Sequence, residues 1–404
     1  MEIRASAWRS SPHISSVAMM AGLSLLLMPA CAPAQTFRTG AWVSVATLYD
    51  DNLLRGNDLR PVPNQGDVRI TPSLNVNIKR SFGRHDVYLK GSAGYDFYGR
   101  NDRLEGERIG LTGSGRIALG ARCLADLSAT ADFHQTDVAD LGVIERNRSR
   151  GRIFEGAFSC PKPAGLYPLL TASRTLVDNS SDLRKPFDLR SYVVGAALVY
   201  ARPSLGNLML FYSYGAIERP NAAVSLGGLK DETRIHRAGL RFERDVAARL
   251  RGNIGLSAIF TDPRLPTTPS FSGLGWQSEI IWSPSPATSL TTRFARDVRG
   301  ESSFGVSFIV DTKASLIASR KLSARTTIEA RAAFARRSLR GETQREGLPL
   351  RVSDRTTELA VSLDYALTDA FHCEVELGHS RRTSATDFYD YRSTRAGIRL
   401  GYRF

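Results

Sequence analysis

Long apolar runs are missing from this chain. Beyond its first 34 residues no stretch reaches the eighteen or so apolar residues that a spanning helix needs, which excludes a helical membrane protein. Linkers are missing too. No Pro/Gly/Ser-rich tract, like-charge run or change of texture interrupts residues 40–404, so one architecture is repeated rather than two soluble domains joined. Cysteine is scarce, four in 404 residues, and none has metal-ligand spacing. No Gly-x-Ser-x-Gly elbow and no His/Glu zinc cluster occurs, so neither a hydrolase nucleophile nor a metal or other cofactor is expected. Carboxylates are in deficit, 40 Asp+Glu against 54 Lys+Arg, for a net charge of +14.

What is present begins with an export signal. Arg4 and Arg9 form a basic start, residues 17–28 an apolar stretch, and Ala32-Pro33-Ala34 before Gln35 a small-x-small cleavage pattern. A lipoprotein junction at Ala30-Cys31 is the alternative, but Met28 and Pro29 suit it poorly. The expected division is therefore 1–34 signal peptide and 35–404 mature chain. Export argues against nucleic acid as the partner of the basic excess. Anionic lipopolysaccharide or an acidic polysaccharide outside the cell fits better.

The mature chain alternates with period two. Tyr192, Val194, Ala196, Leu198 and Tyr200 share one face, with aromatic rings at both ends of an aliphatic middle, as a lipid-facing strand needs at two headgroup levels. Thr357, Leu359, Val361, Leu363 and Tyr365 alternate with Thr356, Glu358, Ala360, Ser362 and Asp364. A soluble sandwich also alternates. The strands here are long, the polar face stays small or charged, and the connections alternate between short and long. Short connections fall near 82–85, 120–123, 161–165, 203–206, 245–248, 284–287, 321–324 and 368–370. Longer polar ones fall near 51–66, 99–106, 137–149, 178–188, 219–231, 262–271, 298–302, 338–353 and 384–388. Seventeen connections join eighteen strands, sixteen being the alternative count. The fold class is all-β, a transmembrane antiparallel up-and-down barrel of the outer membrane. Short turns then face the periplasm and long loops the exterior. Ile398, Leu400, Tyr402 and Phe404 on one face of the last strand have the form of a signal for the barrel assembly machinery.

The segment from Val45 to Arg55, with Tyr49-Asp50-Asp51-Asn52 at its centre, resembles the opening strand of the putative beta-barrel porin 2 family. Strand length, short turns such as Ser283-Pro284-Ser285-Pro286 and the terminal Phe extend the resemblance loosely over the mature chain. The resemblance implies a pore-like barrel, and members often accompany exopolysaccharide or capsule export components.

Some outer-membrane barrels are enzymes. Asp50-Asp51 could position a water for peptide attack, or could simply form a solvated loop entrance, with a cation and an Asn52 turn. His379 and Ser380 are adjacent and so point to opposite faces, while His134 and His372 fall on lumen parity without a nucleophile. The chain is not expected to be an enzyme. With Cys31 removed, Cys123, Cys160 and Cys373 remain. Free thiols are the default, and a Cys123–Cys160 bridge between neighbouring strand ends is the alternative.

Parity places Arg116, Arg237, Arg241, Arg251, Arg293, Arg331, Arg395 and Arg399 inside as candidate pore-lining residues, with Asp364, Glu374 and Glu376 among the inward acids. Arg336, Arg337, Arg340, Arg345 and Arg351 are assigned to one long loop. Acids gather on strands sixteen and seventeen and bases on ten, eleven and eighteen. Such walls would set up a transverse field across the channel; alternatively the pairs brace the interior. Three functions stay open: a conduit for an acidic exopolysaccharide, a general diffusion porin, or a closed structural or adhesion barrel acting through its loops.

Overall fold

Alternating faces and tight glycine turns leave few options but antiparallel strands. Gly83 and Gly120, at φ +60° and +62°, take the left-handed conformation that such turns require and side chains resist. The computed structural model describes residues 40–136, 146–222, 227–247, 249–302, 305–341 and 349–404, so the export signal expected at 1–34 lies outside the described residues.

Eighteen strands follow in order. The first six are β1 (Gly40–Asp50), β2 (Asp67–Phe82), β3 (His85–Tyr98), β4 (Gly106–Leu119), β5 (Cys123–Gln135) and β6 (Arg148–Ser159). Next come β7 (Gly165–Asn179), β8 (Leu189–Arg202), β9 (Gly206–Arg219), β10 (Asp231–Ala247), β11 (Leu250–Pro263) and β12 (Ser272–Ser285). The last are β13 (Thr288–Arg299), β14 (Phe308–Lys321), β15 (Thr326–Arg340), β16 (Ser353–Ala366), β17 (Phe371–Ser384) and β18 (Tyr391–Arg403). Each pairs antiparallel with its neighbours in sequence, and β1 pairs with β18 from Trp42↔Arg403 to Asp50↔Arg395. The sheet is closed, and the count is eighteen rather than sixteen.

Every short connection falls where the alternation places it, and all lie at one rim. The outward face is apolar and unburied: Leu256 is 58 %, Leu359 59 % and Leu377 60 % exposed, a surface suited to lipid and not to water. Ile398, Leu400, Tyr402 and Phe404 are also exposed on this face. At the short-turn rim Cys123 and Cys160 form a disulfide, so the free-thiol default fails for this pair: Leu124↔Ser159 pairing already sets their ends side by side. Cys373 remains free.

The wall departs from regularity at one place. The β12–β13 ladder stops at Trp276↔Arg296, while β13–β14 pairing continues to Arg299↔Ile309 and β14–β15 pairing to Phe308↔Arg340. The long-loop end of the β13–β14 hairpin thus leaves β12 and leans into the barrel. Val298, Phe308 and Val310 have outward parity, yet they are buried against Val177, Leu189, Ile217, Ile235 and Ile259 from the inner faces of β7 to β11. Each such burial contributes roughly 1.5–3 kcal/mol. Gly300 makes the approach close, since a Cβ there would meet Leu189 Cδ1 at 2.8 Å. Val306 covers Ile309 and Leu339 in a second small cluster.

Candidate functional site in the barrel lumen

Below the inward hairpin lies a lumenal cavity of about 660 Å³. β10 supplies Arg237 and Arg241, β4 and β5 supply Arg116 and Asp126, and the hairpin strands supply Asp297, Arg299, Asp311 and Lys313. Arg237 Nε donates to Asp297 Oδ1 at 2.8 Å and its Nη2 to Val298 O at 2.6 Å, tying β10 to the hairpin across the lumen. Its side chain is 5 % exposed and its Nη1 has no hydrogen-bond partner among the described residues. Met209 and Phe211 give the cavity an apolar side.

The other inward charges lie along the wall. Arg116 bonds Asp126 at 2.7 Å, Arg293 bonds Glu279 at 2.5 Å, and Arg331 bonds Glu329 at 3.1 Å. Arg241 is 3.8 Å from Glu243. Arg395 binds Glu358 and, at 3.2 Å, Glu376; Arg399 binds Glu374 at 2.8 Å. Asp364 is half-buried on the same inner face. Arg251 is exposed near the short-turn rim, in register with Asp245. Glu358 of β16 and Glu374 and Glu376 of β17 therefore pair with β18 instead of confronting a basic wall across the channel. Neighbouring strands bring these groups within bonding distance, and that contact outweighs any long-range field.

A second ionic group lies at the long-loop end, where the sequence suggests a basic loop. Arg336, Arg337 and Arg340 belong to β15, not to a loop, because the strand runs to Arg340; Arg345 lies outside the described residues. Arg337 turns inward to Asp354 at 2.9 Å, and buried Arg351 reaches the same carboxylate at 2.6 Å. Arg299 bridges Asp311 at 2.8 Å and Glu301 at 3.3 Å, and Lys313 adds 2.9 Å to Asp311. The connection expected at 298–302 is longer, and its described residues Gly300 and Val306 pack inward. Its sequence signal was residues 304–310, FGVSFIV, apolar at nearly every position and so fitted to burial on both faces.

Asp50 and Asp51 diverge. Asp50 is buried and accepts from Arg55 Nη1 at 2.9 Å, Asn52 N at 2.9 Å and Ser393 Oγ at 2.6 Å. Asp51 is exposed and accepts from Thr394 N at 2.7 Å. The two carboxylates staple the first connection to β18 through separate partners, and Asp50 is not part of a solvated entrance. His379 faces outward, with Nδ1 3.1 Å from Thr394 Oγ1. Above the apolar side, Asp188 accepts from Asn179 N at 2.7 Å and Asn221 Nδ2 at 2.7 Å; burial still pushes its carboxyl above the usual range.

A closed eighteen-stranded barrel with an apolar exterior and a charged interior narrows the comparison to membrane barrels. Residues 231–404 match the family model "Putative beta-barrel porin 2". This is the family that the opening strand resembles, although the matched region starts at β10. The protein is a porin-like barrel of the outer membrane. Among solved structures it is similar to the outer membrane protein opdK of Pseudomonas aeruginosa, at 14 % identity, over 91 % of this chain and 99 % of that one, with TM-score 0.46. It is similar to Pseudomonas aeruginosa OccK2 in complex with glucuronate, at 10 % identity, over 91 % and 98 %, with TM-score 0.45. A bacterial polysaccharide outer membrane secretin matches at 9 % identity, over 90 % and 98 %, with TM-score 0.34. No curated sequence matches the chain.

Proposed function

We propose that this porin-like barrel is a conduit for an acidic hydrophilic solute, with an exopolysaccharide or its fragments as the substrate class. The observation that carries the reading is the lumenal cavity. Lys79, Arg116, Arg237, Arg241, Arg299 and Lys313 line it and outnumber the carboxylates of Asp86, Asp126, Glu155, Asp297 and Asp311. Arg237 Nη1 is a buried donor without a hydrogen-bond partner among the described residues, and a sugar carboxylate is the acceptor that it lacks. The inward hairpin narrows the lumen, which favours selective passage over free diffusion. On this reading residues 1–34 direct export, and Ile398, Leu400, Tyr402 and Phe404 are read by the assembly machinery. Export components would meet the barrel on its periplasmic side.

Single-channel conductance of the folded protein in a planar bilayer tests the proposal. A salt gradient should reveal anion preference, and uronate oligosaccharides should block at concentrations where neutral oligosaccharides of equal length do not. Equal block by both would return the barrel to general diffusion. No conductance from correctly folded protein would favour a closed barrel acting through its loops.

A further inference from the structure

The outer wall carries a second charged feature, separate from the lumen. Outward positions of β15 to β18 include Arg336, Arg355, Arg381 and Arg392, all exposed. The register places Arg336 directly opposite Arg355, and Arg381 directly opposite Arg392. Thr357 pairs with Arg381 and Arg355 with Thr383, so Arg355 and Arg381 are diagonal neighbours. Directly opposite residues have Cβ atoms about 5 Å apart and diagonal ones about 7–8 Å, well within the reach of arginine side chains. Four guanidinium groups thus form one contiguous patch.

Like charges facing each other across strands are destabilising unless something anionic lies between them. No described residue supplies it. No outward position of β15 to β18 is Asp or Glu, and none of the four side chains has an ion-pair or hydrogen-bond partner among the described residues. At the closing seam Asp51 accepts from Thr394 N. Elsewhere on the outer wall arginines at the same rim do meet acids. Arg148 is 3.2 Å from Glu107, Arg152 is 2.5 Å from Asp178, and Glu232 serves both Arg234 and Arg264.

The patch sits where a lipid headgroup would. Immediately below it the outward face turns apolar, with Phe334, Leu359 and Leu377 exposed, and the far edge ends in Tyr365 and Tyr402. Acyl chains can lie on that apolar band while phosphate lies among the arginines. We propose that this face of β15 to β18 is a binding site for a phosphorylated glycolipid of the outer leaflet, its phosphate held by Arg336, Arg355, Arg381 and Arg392. Arginine suits the role, since its planar fork takes phosphate oxygens two at a time.

The test uses the folded full chain in neutral detergent, titrated with bis-phosphorylated lipid A and, separately, with its dephosphorylated form, binding being read by native mass spectrometry. The wild type should prefer the phosphorylated lipid. The quadruple variant R336Q/R355Q/R381Q/R392Q should bind it at least about tenfold more weakly, with both proteins equal towards the dephosphorylated lipid. The lysine quadruple should retain most of the affinity. Heat-modifiability confirms that each variant is folded; if the glutamine quadruple fails to fold, R336Q/R355Q and R381Q/R392Q are each expected to show a several-fold loss. Equal binding of the phosphorylated lipid by wild type and glutamine variants, or no preference for phosphate in the wild type, overturns the proposal.

Discussion

The long-loop half of the lumen has two sides built on opposite principles. From β7 to β11 the inner wall presents Val177, Leu189, Ile217, Ile235 and Ile259, which would be out of place in a wet channel. They are buried because the β13–β14 hairpin covers them with Phe308, Val298 and Val310. From β13 to β16 the wall is ionic, and Arg299, Asp311, Arg337, Arg351 and Asp354 satisfy one another. Apolar burial fixes the hairpin by shape, whereas the ionic side fixes strand ends by charge. The same hairpin belongs to both sides, so the two can be broken separately.

The largest effect should come from Phe308→Ala on the apolar side. Emptying a fully buried aromatic site costs about 3–5 kcal/mol, enough to undock the hairpin tip. Single-channel conductance should rise while the barrel still resists detergent; an unchanged conductance would mean that the hairpin does not constrict the path. Asp354→Asn, on the ionic side, leaves Arg337 and Arg351 without their shared carboxylate. The cost should be about 3 kcal/mol, at the lower end for a broken buried pair because Arg337 keeps Glu301 at 3.9 Å. A lower urea midpoint with conductance within twofold of wild type is expected, and a conductance jump like that of Phe308→Ala would erase the distinction between the sides. The smallest effect belongs to Cys123→Ser with Cys160→Ser, at the opposite rim and remote from both. A cross-link spanning 37 residues should contribute about 2 kcal/mol here, since β5–β6 pairing already holds its ends together. Unfolding should shift and conductance should not.

Much of this architecture was legible because a strand has only two faces. The alternation of Leu359, Val361 and Leu363 with Glu358, Ala360 and Ser362 fixes inside and outside without reference to any other strand. Turn positions followed from local glycine and proline chemistry. What could not be read was partner choice. Arg237 finds Asp297 60 residues away, and Ser393 reaches Asp50 across 343 residues, through closure of the sheet. Arg336 and Arg337 resembled a loop because charge density was read without parity; in the strand one faces out and the other in. The inward hairpin was missed because residues 304–310 are apolar on both faces, and strict alternation has no place for a segment that leaves the wall.

The point where β13 parts from β12 also acts as a ruler. Above Trp276↔Arg296 the facing edges of these strands are no longer joined, and hydrocarbon does not tolerate unpaired backbone edges. The oily layer must therefore end at or below that rung on this side of the barrel. Arg296, stacked 5.1 Å from the Trp276 ring centre and 5.6 Å from that of Phe271, is an amphipathic marker suited to that boundary. Arg296 lies opposite Thr312, Thr312 opposite Arg336, and Arg336 opposite Arg355, so the same waterline can be followed strand by strand. A tear in the hydrogen-bond ladder and a row of positive charge, two unrelated devices, thus set the depth at which the barrel floats.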